Sequence, residues 1–151
     1  MKKNLLLLLS LITINLSAQD CSDLFISEYV EGPGNNNAIE IYNPTSNDVN
    51  LDGYTINRYG NGSQTPSETW PLSGSISSGD AISIGNGQLD SVYVNNTYWS
   101  LPVDPVFYSS CDYHCSGVYP TPFYFNGDDA ITLEKAGSII DIFGKVGEDP
   151  G

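Results

Sequence analysis

Three groups of residues in this chain could do chemistry. The first is Glu28 and Glu40, one carboxylate in each of two alternating segments, Phe25–Glu31 and Ala38–Tyr42. A carboxylate pair on neighbouring strands can hold a cation, or act as an acid–base couple on a glycosidic bond. It can also do neither. Each carboxylate can face solvent, or accept hydrogen bonds from loop N–H groups and so fix the Gly-Pro-Gly-Asn-Asn-Asn turn between the strands, and this structural reading is preferred. The second group is Asn126-Gly-Asp-Asp129. Calcium takes about six to eight oxygens, and Asn126, Asp128 and Asp129 could supply part of such a set, with Asp90, Asp104 and Asp112 within reach on the preceding loop. The EF-hand spacing is absent, and Asn-Gly-Asp is also what a tight turn demands. The third group is Cys111-Asp-Tyr-His-Cys115. Zinc usually draws its ligands from two separated segments, and there is no second Cys/His cluster. A disulfide closing the short loop between Cys111 and Cys115 is therefore preferred over a metal site using Asp112 and His114, although Cys21 could pair with either. No nucleophile sits beside a base. No catalytic residue is expected, and no cofactor other than calcium.

The hint of a ligand lies in the aromatic residues between positions 85 and 122, a segment with little regular pattern. Tyr98, Trp99, Tyr108, Tyr113 and Tyr119 form the expected binding set, with Tyr93 nearby. Exposed aromatics on a loop make a platform for sugar rings or protein partners. The alternative is that these rings fold back and become core. Trp70, on a strand-like segment, is expected to be core.

The elements that must position these groups are short strands. Phe25–Glu31 and Ala38–Asn43 are followed by Val49–Leu51, leading into Gly53–Tyr59, where Tyr54, Ile56 and Arg58 share one face while Thr55, Asn57 and Tyr59 share the other. Thr69–Leu72, Ala81–Ile84 and Phe123–Phe125 are further extended segments, and Ala130–Leu133 with Ser138–Phe143 flank a hairpin turn at Glu134–Gly137. Past residue 18 no segment has sustained helical periodicity. Short strands separated by Gly, Pro and Asn point to an all-β fold, a sandwich or a small barrel. The sequons Asn61-Gly-Ser and Asn95-Asn-Thr are read as loop composition.

The ends and the charge set the address. Two lysines, an apolar run at Leu5–Leu9 and a small-residue exit at Ala18 form a secretory signal peptide over residues 1–18. The run is short for a bilayer, and no membrane span follows. The expected product is one secreted domain, residues 19–151, extracellular or on the cell surface. Losing Lys2 and Lys3 leaves three basic residues against 18 acidic ones, a net charge of −15. Such a surface repels phosphates, so no direct nucleic-acid binding is expected.

Six segments, in order, carry a resemblance. Leu24–Gly32, Ala38–Pro44, Val49–Tyr54, Ser77–Ile84, Phe125–Ile131 and Ile140–Gly144 together resemble a bacterial lamin-tail domain, over nearly all of residues 22–151. The resemblance implies an immunoglobulin-like β-sandwich, and a secreted, non-catalytic module that often stands beside extracellular nucleases, phosphatases or sorting domains. Two departures stand out. The stretch 88–122 is longer than usual and holds the cysteine pair. The family pattern also continues past Asp149-Pro-Gly151 with a closing strand, so the final strand is expected to be missing and further domains to follow. The functional expectation is a secreted binding or adhesion module whose ligand is an extracellular protein or a glycan. The rivals are an accessory domain at the front of an extracellular nuclease or phosphatase, and a calcium-dependent carbohydrate-binding module.

Overall fold

The computed structural model describes residues 22–117 and 119–151. The expected signal peptide and Cys21 lie outside them. The elements run β1 Phe25–Glu31, β2 Asn37–Tyr42, β3 Val49–Asn50, β4 Tyr54–Tyr59, β5 Glu68–Pro71, β6 Ser75–Ile76, β7 Ala81–Gly85, β8 Val92–Val94 and β9 Tyr98–Ser100. A helix α1, Pro105–Ser110, and strands β10 Tyr113–His114, β11 Ala130–Lys135 and β12 Ser138–Phe143 complete the order. Among the described residues no helix is long and apolar enough to cross a membrane.

Two four-stranded sheets, β1-β2-β7-β10 and β12-β11-β4-β5, form the layers of an immunoglobulin-like β-sandwich, with β3-β6 and β8-β9 as two-stranded accessories. Period-2 alternation sends Ile39 and Ile41 of β2 and Ile84 of β7 inward from one layer. Tyr54 and Ile56 of β4 and Ile131 and Leu133 of β11 meet them from the other layer. Full burial of each such side chain contributes about 1.5–3 kcal/mol, more than a surface ion pair can. One edge of the sandwich is joined. The Ile26 N–H donates to Asp141 Oδ2 at 2.7 Å, and Tyr29 stacks on Phe143 with centroids 3.9 Å apart.

Three regions depart from the expected pattern. Phe123–Phe125 is not a strand. Both phenylalanines are buried in the core, and side chains take up their carbonyls: Asn37 Nδ2 donates to Phe123 O and Phe125 O at 3.2 and 2.8 Å, and Asn86 Nδ2 to Phe123 O at 3.0 Å. A backbone satisfied this way needs no ladder partner. The stretch 85–122 contains four elements, β8, β9, α1 and β10, instead of none. Strands β8 and β9 make a hairpin whose turn puts Asn95 and Asn96 at φ 48° and 54°, the conformation of a type I′ turn, which asparagine tolerates. Helix α1 starts at Pro105 because the Asp104 carboxylate accepts from the Val106 and Phe107 N–H groups at 2.8 and 3.2 Å, an N-cap followed by proline in the first turn. Lastly, β4 is buried on both faces: Asn57 and Tyr59, on the side away from Ile56, are as hidden as the core residues.

Candidate functional site

The hairpin β8–β9, the 32–37 loop and the 119–126 segment converge on one cleft of about 470 Å³. That lies within the range of ligand pockets, roughly 300–1,000 Å³. Its aromatic wall is Tyr98, Trp99, Tyr119, Tyr124 and Phe125. Its polar wall is Asn35, Asn37, Asn61, Asn126 and Arg58. The rim rings are open to solvent, with Tyr98 53% and Trp99 62% exposed, and Trp99 also packs on Tyr93 across the hairpin, with centroids 5.0 Å apart.

Hydrogen bonds running from the buried Gln88 out to the exposed loop hold this frame. Gln88, fully buried, donates from Nε2 to Ser100 O and Leu101 O at 2.9 and 3.0 Å, and Tyr124 donates its hydroxyl to Gln88 Oε1. Asn35 Nδ2 donates to Ser100 Oγ at 2.8 Å and to Leu101 O. The Asp104 N–H donates to Asn36 Oδ1 at 2.8 Å, tying the start of α1 to the same loop. Tyr119 sets its ring edge-on to Tyr124, with centroids 4.8 Å apart. Burial pushes the Tyr124 phenol up to about 12, so it stays a neutral hydrogen-bond donor. Burial, with Tyr98 beside it, also raises the Tyr119 phenol.

Arg58 supplies the cleft's cation, already paired. Nε meets Glu68 Oε2 at 2.6 Å and Nη1 meets Asp129 Oδ2 at 2.9 Å. Burial disfavours the guanidinium charge, but the two carboxylates outweigh that cost and hold its pKa above the ordinary value. Asp129 is fully committed as well: besides Arg58 it accepts from the Asn61 N–H at 3.0 Å and the Asn126 N–H at 3.1 Å. Two carboxylates against one guanidinium leave this corner of the cleft with a single net negative charge.

The profile of the Lamin Tail Domain family matches residues 17–147. The chain belongs to the lamin tail domain family. Among solved structures it is similar to a DUF4876 family protein from Bacteroides thetaiotaomicron, at 16% identity and a TM-score of 0.43, covering 80% of this chain and 35% of that one. The chain thus spans about a third of that protein's length. No curated protein matches it.

Not every residue singled out from the sequence of this lamin tail domain reaches the cleft. Tyr98, Trp99 and Tyr119 do, and so does Asn126 of the candidate calcium set. Tyr108 lies elsewhere, stacked on the His114 ring with centroids 3.6 Å apart, and Tyr113 and His114 line a smaller apolar cavity with Trp70, Leu72 and Ile84. His114 is half-buried on β10 and donates from Nε2 to Tyr108 O at 2.8 Å. Trp70 packs against the core from an edge strand. The expected Cys111–Cys115 disulfide is absent, and among the described residues neither sulfur is bonded to another. The extended strand β10 lies between them, and their sulfurs take different partners, the Phe107 carbonyl for Cys111 at 3.7 Å and Thr121 Oγ1 for Cys115 at 3.2 Å. A disulfide needs its Cα atoms within about 7 Å, and an extended chain works against that.

The acidic residues have structural partners of their own. Asp112 accepts from the Ser83 N–H and hydroxyl at 2.9 and 2.7 Å, and these bonds, the backbone one foremost, lower its pKa. Asn126-Gly-Asp-Asp129 closes as a turn, with the Asp129 N–H donating to Asn126 O at 3.0 Å. Asp128 keeps a buried Oδ1 with no partner among the described residues. Glu28 and Glu40 face each other across β1 and β2, and Glu40 accepts from the Ser27 hydroxyl at 2.6 Å. Among the described residues no three His, Cys, Asp or Glu side chains gather as a metal site. Arg58, Asn61 and Tyr124 carry no local motif that marks them as cleft residues. The run of asparagines after Gly34 is the one signal that points to the polar wall.

Proposed function

We propose that this lamin tail domain is a non-catalytic binding or adhesion module of an extracellular protein, and that the cleft beside the β8–β9 hairpin is its binding site. The observation that carries the reading is the pairing of exposed aromatic rings with side-chain amides on a hydrogen-bonded frame. Rings and amides of this kind bind; acid–base chemistry needs an uncommitted carboxylate or imidazole in hydrogen-bond reach. The carboxylates at this cleft, Glu68 and Asp129, are held by Arg58. The leader-like residues 1–18 support export.

Two measurements test the reading. The exported protein is expected to start at Gln19 and to leave DNA and phosphoesters intact. Recovery inside the cell with Met1 in place would overturn the extracellular half, and turnover that co-purifies with the chain would overturn the non-catalytic half. Binding to extracellular material that survives Trp99→Ala unchanged would move the binding surface away from the cleft.

A further inference from the structure

We propose that the cleft takes a neutral, pyranose-type glycan segment, bound without calcium; this rests on the cleft being the binding site. The apolar C–H face of a pyranose ring packs on an aromatic face, and Tyr98 and Trp99 present such surface at the rim. The I′ turn at Asn95 and Asn96 fixes the hairpin that carries them, so little ordering remains to be done on binding.

The polar wall narrows the ligand class. Side-chain amides both donate and accept, as sugar hydroxyls do. Asn61 and Asn126 stand in the lining, and among the described residues the buried Oδ1 of Asn37 has no partner. Arg58 Nη2 is likewise unused by Glu68 or Asp129. Among the described residues of the lining, Leu101 is the only aliphatic side chain. A groove for an amphipathic protein segment needs an apolar floor, whereas a polyhydroxylated ligand needs the amides that are there.

Charge selects within the glycans. The Arg58 cluster is net negative, and the whole chain carries −13. A uronate, sulfate or phosphate group would meet repulsion there, because two carboxylates already outweigh the one guanidinium. Calcium is not required, because both Asp129 oxygens are occupied by the guanidinium and two backbone N–H groups.

Calorimetry on the exported chain tests this with neutral oligosaccharides (cello-, xylo-, manno- and chito-series), oligogalacturonate as the anionic probe, and each titration repeated in EDTA. At least one neutral series should bind, with affinity unchanged by EDTA and reduced about tenfold or more by Trp99→Ala or Tyr98→Ala. Both variants alter exposed side chains, and circular dichroism checks that they remain folded. Preference for oligogalacturonate, or loss of binding in EDTA, would overturn the inference. Failure of every glycan while a protein partner binds in a Trp99-dependent way would overturn the glycan assignment and leave the binding module intact. Binding of glycan or protein that ignores Trp99 and Tyr98 would overturn both.

Discussion

Arg58 shows how one residue can serve both the fold and the cleft. Its guanidinium joins Glu68 on β5 to Asp129 beside β11, and the Asp129 side chain has no exposed surface. Removing one partner of a buried pair strands the other charge, at a cost of about 3–5 kcal/mol. Arg58→Met is therefore expected to lower stability by that order, read as a shift in the urea unfolding midpoint. An unchanged midpoint would mean that Asp129 is solvated. Glu134 poses the same question on the opposite face of β4, where it accepts from the Tyr59 hydroxyl and the Thr132 hydroxyl, both at 2.8 Å. Burial alone would raise its pKa, but the donors from Asn57, Tyr59 and Thr132 hold it below 4.5. Tyr59→Phe leaves a buried carboxylate short of a donor, and a loss of about 1–3 kcal/mol is expected by the same measurement. In Glu134→Gln the Tyr59→Phe change should cost less, since the charge that needs the donor is gone.

At the scale of the element, close approach decides what the long loop can do. A Cβ at Gly87 would stand 2.0 Å from the Cys115 carbonyl oxygen, and one at Gly117 would stand 2.5 Å from the Gly87 carbonyl oxygen. The two backbones touch because both residues are glycine. Gly87→Ala should therefore displace the segment after β10, and with it Tyr119, while Gly127→Ala, whose nearest neighbour is 4.0 Å away, should behave as wild type. Comparing the unfolding midpoints of the two variants checks this. The β1–β2 pair offers a gain instead of a loss. Glu28 opposes Glu40 directly, and like charges in register repel. Glu28→Lys is expected to raise stability by about 0.2–1 kcal/mol, less at high salt. Peptide mapping of the non-reduced protein after alkylation in denaturant should find no peptide linking Cys111 to Cys115. A peptide linking the two would show that the loop closes through sulfur after all.

Across the whole molecule the ionisable groups share a sign at each end of the pH scale. Asp23 is lowered: its burial works against the charge, but Lys135 and Tyr54 hydrogen bonds outweigh it. With Asp112 and Glu134 also lowered, the unfolded chain binds more protons than the folded one in acid, so stability falls as pH drops below about 4.5. The phenols of Tyr54, Tyr59 and Tyr124 are raised by burial above 10.0. The unfolded chain then loses protons first, and stability falls again above that value. Urea midpoints measured across the scale should show a plateau from about pH 5 to pH 9, with a decline on both sides. A midpoint that climbed steadily into acid would contradict the carboxylate network.

Much of the sandwich could be read directly along the chain, because a period of two in Phe25–Glu31, Ala38–Tyr42 and Ala130–Leu133 is a local property that burial merely uses. The lamin-tail motifs lie mostly in those same strands, which is why family and fold were legible together. The helix at Pro105 had its local signal in Asp104-Pro105, too short for any periodicity. The cleft had no such signal. Its rings come from residues 98–125 and its amides from residues 35–61 and 126, and they meet only because β1–β2, β4 and the 119–126 segment end at the same side of the sandwich. Side-chain amides bonded to distant carbonyls, Asn37 to Phe125 and Gln88 to Leu101, set that meeting. Hydrogen bonds between residues far apart in sequence leave no periodic trace, so residue order determined the layers of this protein and tertiary contact alone decided which loops face one another.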